Sequence, residues 1–98
     1  MAGRVPSTTL YLVTYDVTDD RRRAKVHQVL TGFGEWVQQS VFECHLTKQE
    51  LILLRSKLDR HVDPKQDNLR VYALCDACLG RVQAIGSDKP APTNVYVV

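Results

Sequence analysis

Asp16 closes an apolar run, Thr9-Leu10-Tyr11-Leu12-Val13-Thr14-Tyr15, and five residues later come Arg21-Arg22-Arg23, with Lys25 just behind. A carboxylate is a hard oxygen ligand of the kind Mg²⁺ takes, and the arginine fork matches phosphate oxygens. A metal and a phosphate in one place point to phosphodiester chemistry or nucleic-acid binding. Asp16 is therefore the candidate catalytic and Mg²⁺-binding residue. Arg21, Arg22, Arg23 and Lys25 are the candidate nucleic-acid contacts. Cations in a first helical turn oppose the macrodipole, at about 0.3–1 kcal/mol each when exposed. Phosphate contact would give a reason for placing them there. Two plainer readings stand beside these: an aspartate that only closes a β-to-α turn, and a solvated basic face balanced by Asp19 and Asp20. One carboxylate per chain makes a poor Mg²⁺ site, but a two-fold axis would duplicate it. The ion in such a site could activate water or stabilise an in-line displacement at phosphorus.

The elements that must position these residues follow from periodicity. Thr9 to Tyr15 is β-branched, aromatic or leucine and reads as a strand, with Asp16 at a sheet edge or tip. A helix is expected from Asp20 to Phe33, because Val26, Val29, Leu30 and Phe33 share one face at 3.6-residue spacing. Asp19 or Asp20 can cap its start and Gly32 or Gly34 its end. Glu35 to Leu46 reads as one long strand with Trp36, Phe42, Cys44 and Leu46 on one face and Val37 and Val41 on the other. Thr47-Lys48-Gln49-Glu50 is a capping box opening a second helix striped by Leu51, Leu54 and Leu58, which ends before Pro64. Leu69 to Cys75 is a further strand, and Arg81 to Ile85 a short one.

Four strands and two helices are assigned to the ferredoxin-like α+β arrangement, β-α-β-β-α-β: an antiparallel sheet with two helices on one face. The expected domain covers residues 1–85. A polar, proline-bearing linker and an extra C-terminal strand, Val95 to Val98, fill 86–98. That strand is expected to dock on a sheet edge of this chain or of a dimer partner. Tyr11, Val13, Val37 and Val41 would line an uncovered sheet face, and a chain this short has a thin core. A homodimer is the expected remedy.

The formal charge of +2 does not by itself identify a nucleic-acid binder, but four of the thirteen Lys and Arg fall within five residues beside Asp16. No apolar run reaches the ~18 residues of a membrane span. Met1 to Thr9 lacks the apolar stretch of a secretory signal. Three cysteines make a poor disulfide framework, so a cytoplasmic, reducing setting is expected. Cys75-Asp76-Ala77-Cys78 alone does not make a zinc site, since Cys44, His27, His45 and His61 lack ligand spacing. Those cysteines read as structural or incidental, and His45 is assigned no role. Nucleotide-triphosphate, dinucleotide and zincin motifs are absent. The strand Leu69 to Cys75 lacks the aromatic pattern with which an RNA-recognition module stacks bases.

Taken together, Tyr15-Asp16-Val17, the Asp19-Asp20-x-Arg22-Arg23 helix opening, Gly34, Gln39-Ser40-Val41-Phe42-Glu43 and Leu69-Arg70-Val71-Tyr72 resemble the CRISPR-associated Cas-two family over about Leu10 to Leu74. The resemblance implies a ferredoxin-like homodimer with facing sheets. It implies a part in spacer acquisition as a scaffold with the Cas-one integrase, holding DNA, and a Mg²⁺-dependent endonuclease activity on RNA or DNA. The family's metal-binding aspartate matches Asp16, its basic helix start Arg22 and Arg23, and its phenylalanine Phe42. Cys75 to Pro92 does not align. The alternative is a stand-alone, toxin-like, metal-dependent endoribonuclease.

Overall fold

The computed structural model describes residues 7–83 and 85. The chain alternates β1 (Thr9–Asp16), α1 (Asp20–Thr31), β2 (Glu35–Gln38), β3 (Val41–Leu46), α2 (Lys48–Asp59), β4 (Asn68–Leu74) and a short α3 (Asp76–Leu79). The sheet order is β2-β3-β1-β4, and every neighbouring pair is antiparallel. This is the ferredoxin-like α+β fold, with β1 at the centre of the sheet.

Local chemistry sets the helix ends. Asp19 caps α1 by accepting from the Arg22 amide at 2.9 Å, and Gly32 closes it. Thr47 and Glu50 form the reciprocal capping box of α2, at 3.1 and 2.8 Å. Each exchange satisfies helix-end amides that have no intrahelical acceptor.

One core lies between the sheet and the two long helices. Tyr11, Val13 and Tyr15 of β1 meet Phe42, Cys44 and Leu46 of β3, Val26 and Leu30 of α1, and Leu54 and Leu58 of α2. This corrects the expected facing of β1. Tyr11 and Val13 are buried under the helices because Val13 stands opposite Phe42 in the antiparallel register, and such pairs share a face. Leu12, Thr14 and Asp16 take the other face, with Val41 on β3 and Tyr72 and Leu74 on β4. Val41 lies on that face as expected.

A second correction concerns Glu35 to Leu46, which is a hairpin rather than one strand. Gln39 and Ser40 make its turn without glycine, proline, asparagine or aspartate, and tertiary bonds hold it. Ser40 C=O accepts from the Tyr15 amide at 3.1 Å, and Gln39 C=O from Trp36 Nε1 at 3.0 Å. A bulge between Trp36 and Gln38 shifts the register and keeps Trp36 opposite Phe42. Gly34 leads into this hairpin. A Cβ there would come within 2.4 Å of both Cys44 Sγ and the Glu43 carbonyl oxygen, so β2 can approach β3 this closely only with glycine at that point.

Arg81 to Ile85 forms no strand among the described residues. The chain after β4 turns into α3, and the Arg81 and Val82 amides bond back to Cys78 and Leu79. The linker and C-terminal strand expected over 86–98 lie outside the described residues. Among those described, no helix is long and apolar enough to cross a membrane.

Candidate nucleic-acid interface

Asp16 is the last residue of the central strand, so it sits at the tip of the sheet, opposite Asn68 of β4, and is exposed. Alternation along β1 puts it on the face away from the helices. It opens onto a hollow of about 350 Å³ lined by Thr14, Asp16, Ser40, Asn68, Arg70 and Tyr72, among others. Arg70 donates to the Tyr72 hydroxyl at 3.3 Å. This rim therefore carries a carboxylate, neutral oxygens from Ser40 and Asn68, and a guanidinium within one concave surface. Arg70 and Tyr72 are members that sequence reasoning missed. Their spacing of two gave a shared face, but only the β1–β4 register brings that face beside Asp16.

The basic helix start divides into two kinds of residue. Arg22 is committed inside the chain: its Nε and Nη2 each meet an Asp67 carboxylate oxygen at 3.0 Å. Asp67 also accepts from the Thr18 and Asp63 amides, at 3.2 and 2.8 Å, and its side chain is fully enclosed. Arg23 donates to the Val17 carbonyl at 3.0 Å and pairs with Asp20. Arg21 and Lys25 are exposed, and among the described residues neither makes a hydrogen bond or ion pair. The four cations thus do not gather on the hollow of Asp16. Arg23 lines an adjoining hollow of about 320 Å³ with Asp20, Ala24, His27 and Gln39, and the two share Tyr15.

Tyr15 fastens this corner. It is buried, and its hydroxyl lies 3.2 Å from His27 Nδ1 and 3.4 Å from the Gln39 carbonyl oxygen. Burial raises its phenol above the ordinary value, against a smaller lowering by Arg23. The His27 ring meets Trp36 and Phe42 edge-on, with centroids 5.0 and 5.1 Å apart. One contact set therefore joins α1, the tip of β1 and the β2–β3 turn around the base of Asp16.

The clamp between Arg22 and Asp67 has a pH signature. The hydrogen bonds from Arg22, helped by the Asp63 and Thr18 amides, hold the Asp67 carboxyl far below the usual carboxylate range, although burial opposes them. A carboxyl lowered in the folded state favours folding above its unfolded pKa, near 3.9, and that contribution fades as pH falls below it. Urea midpoints are expected to drop steeply from pH 4 toward pH 2, and Asp67→Asn to flatten that drop while lowering the midpoint at pH 7. An unchanged acid limb in Asp67→Asn would show that other carboxylates control it.

Within a single chain the donor set does not complete a Mg²⁺ site. Among the described residues no three His, Cys, Asp or Glu side chains gather to hold a metal. Asp16 supplies one carboxylate to its hollow, and a second would have to come from another copy.

A ferredoxin-like domain with a carboxylate at the tip of its central strand and a basic helix directly after it defines a class, and the sequence pattern of the family "CRISPR associated protein Cas2" matches it over residues 9–82. A curated relative from Chloroflexus aurantiacus, called CRISPR-associated endoribonuclease Cas2 1, is 40% identical over 91 residues, covering 90% of this chain and 98% of that protein. The crystal structure of a hypothetical protein from Thermus thermophilus superposes with a TM-score of 0.75 at 42% identity, covering 88% of this chain and 99% of its own. A chain of a partial Cas6-RT-Cas1–Cas2 complex superposes with a TM-score of 0.73 at 28% identity, covering 86% and 92%. The chain belongs to the CRISPR-associated Cas2 family.

Proposed function

We propose that this chain acts in CRISPR spacer acquisition as a homodimer that holds nucleic acid for the Cas1 integrase, and that two Asp16 carboxylates give it Mg²⁺-dependent phosphodiester cleavage. The observation that carries the reading is Asp16 itself, exposed at the tip of the central strand on the sheet face the helices leave open. That face presents half-buried Leu12, Val41 and Leu74, and Tyr72 at 46% exposure. A second copy laid against it would cover these side chains and double every group near the axis. The paired Asp16 carboxylates would hold the ion, which would neutralise developing charge and activate water. Arg21 and Lys25 would contact phosphate from the helix start, and Arg70 from the rim. Arg22 would act by holding the Asp63–Asp67 loop against α1, and Arg23 by tying the helix start to Val17. The relatives named endoribonucleases favour the hydrolytic part. The similarity to a chain from a complex containing Cas1 favours the scaffold part, which does not require Asp16 chemistry.

The test is a salt titration of binding to labelled duplex DNA and single-stranded RNA. Each phosphate contact contributes about 0.9 to the slope of log K against log salt on duplex and about 0.7 on single strands. Arg21→Ala with Lys25→Ala is expected to weaken binding at low salt and lower the duplex slope by about 1.8, while stability holds because both side chains are exposed. Arg22→Ala is expected to lower stability instead. An unchanged slope in the double variant would remove the helix start from the interface. Light scattering on the same samples should give twice the 11.1 kDa of one chain, and a monomer at micromolar concentration would refute the shared site.

A further inference from the structure

The dithiol after β4 has no part in the proposed cleavage or scaffold roles. Cys75 and Cys78 are both exposed and reduced, whereas Cys44 is wholly enclosed in the core. Cys75 and Cys78 occupy one helical turn, with Cys75 immediately before α3 and Cys78 within it. The Cys78 amide donates to Cys75 Sγ at 3.4 Å, so the backbone between them is already folded back on the first sulfur. Side chains three apart on a turn have Cβ atoms about 5–6 Å apart. A disulfide needs about 3.5–4.5 Å, so closure asks for a movement of roughly 1–2 Å in a solvent-exposed turn.

The two thiols are unequal. Hydrogen bonds from the Cys78 amide, then from its side chain, draw the Cys75 thiol below the ordinary value, while the side-chain contact with Cys75 raises that of Cys78. Burial, reinforced by Glu43, pushes the Cys44 thiol up to about 11, which keeps it out of exchange chemistry. A metal reading fares worse than a redox one. Tetrahedral zinc wants four such ligands, and no group of three gathers among the described residues.

We propose that Cys75 and Cys78 form a reversible intrachain disulfide by exchange with a low-molecular-weight disulfide, Cys75 attacking and Cys78 resolving. The Cys75 thiolate attacks one sulfur of the oxidant, making a mixed disulfide and releasing one thiolate. Cys78, losing its proton to solvent, then attacks the Cys75 sulfur of that mixed disulfide and releases the second. The protein loses two electrons and two protons, and the oxidant becomes two thiols. The pair follows Leu74, which faces Leu10 in the register, while Asp16 faces Asn68 at the other end of the strand. Six residues at about 3.3 Å each separate those ends by about 20 Å. The dithiol reading therefore stands or falls independently of the Asp16 site.

The experiment incubates the reduced full-length protein with oxidised glutathione, quenches in acid, blocks thiols with N-ethylmaleimide and maps peptides by mass. The expected product has lost two hydrogens on the peptide holding Cys75 and Cys78, is restored by excess reduced glutathione, and leaves Cys44 unreacted until denaturant is added. Cys78→Ser should accumulate a glutathione adduct on Cys75. Cys75→Ser should form its adduct on Cys78 several-fold more slowly at pH 7. Wild-type protein that halts at glutathione adducts with no internal bond would overturn the disulfide. Equal adduct rates in the two variants would overturn the assignment of Cys75 as the attacking thiol.

Discussion

Asp16→Asn is expected to lower Mg²⁺-dependent cleavage of labelled RNA and DNA by about a hundredfold or more while leaving the dimer intact. The magnitude follows from what the carboxylate would do. In a site built on a two-fold axis, one substitution removes both charged ligands at once. A bound ion contributes several kcal/mol of transition-state stabilisation, and each 1.36 kcal/mol is tenfold in rate. The fold should survive because Asp16 is exposed at a strand tip and Asn nearly reproduces its shape. EDTA should reproduce the loss in the parent protein. A variant that cleaves as fast as the parent would place the activity at another residue or in a contaminant. If neither protein cleaves but both bind nucleic acid with the salt dependence described above, the scaffold part of the proposal stands alone.

The largest stability effect is expected at Phe42. Its ring is fully buried, lies edge-on to His27 and sits 6.3 Å from the Tyr15 ring. Phe→Ala at such a position removes buried apolar area and leaves a cavity, typically at a cost of about 3–5 kcal/mol. Total stability for a domain of this length is about 5–15 kcal/mol, so Phe42→Ala should bring the protein close to unfolding at physiological temperature. Urea denaturation at 25 °C measures this directly, and Phe42→Leu, which keeps most of the volume, should recover much of the loss. A small effect of Phe42→Ala would mean that α1 and the hairpin collapse into the space. In that case Tyr15 and His27 should shift, and binding at the Asp16 rim should change even though stability does not.

How far the sequence could be read depends on how local the cause was. Both long helices were legible because their apolar stripes, the Asp19 cap and the Thr47–Glu50 box are short-range signals. The position of Asp16 was legible for the same reason, since an acid ending a β-branched run has few places to go. The hairpin at Gln39–Ser40 was not, because its reversal depends on amides and rings from β1 and β2 rather than on turn-forming residues. The facing of β1 was misread because both of its faces are apolar, and only pairing with Phe42 decides which is covered. The roles within the arginine cluster were the least legible. Asp67 lies 45 residues from Arg22, and nothing near Arg22 in the sequence announces that its charge is already taken. Family resemblance supplied the shared pattern, while the division between committed and exposed cations came from the structure.

The sheet order has a further consequence for how this chain is made. β1 is synthesised before the other described strands, yet it lies inside the sheet and pairs on one side with β3 and on the other with β4, where Leu10 meets Leu74. At about 5–20 residues per second, the stretch from Asp16 to Leu74 takes about 3–12 s to translate. Throughout that interval one edge of an apolar strand has no partner of its own. The β2–β3 hairpin, by contrast, is local and can close as soon as it leaves the ribosome. It then offers β3 as a template on which β1 can wait. Nascent chains truncated before Asn68 should therefore be sticky intermediates with β1 half-paired, until β4, the last of the described strands to emerge, pairs the remaining edge of β1.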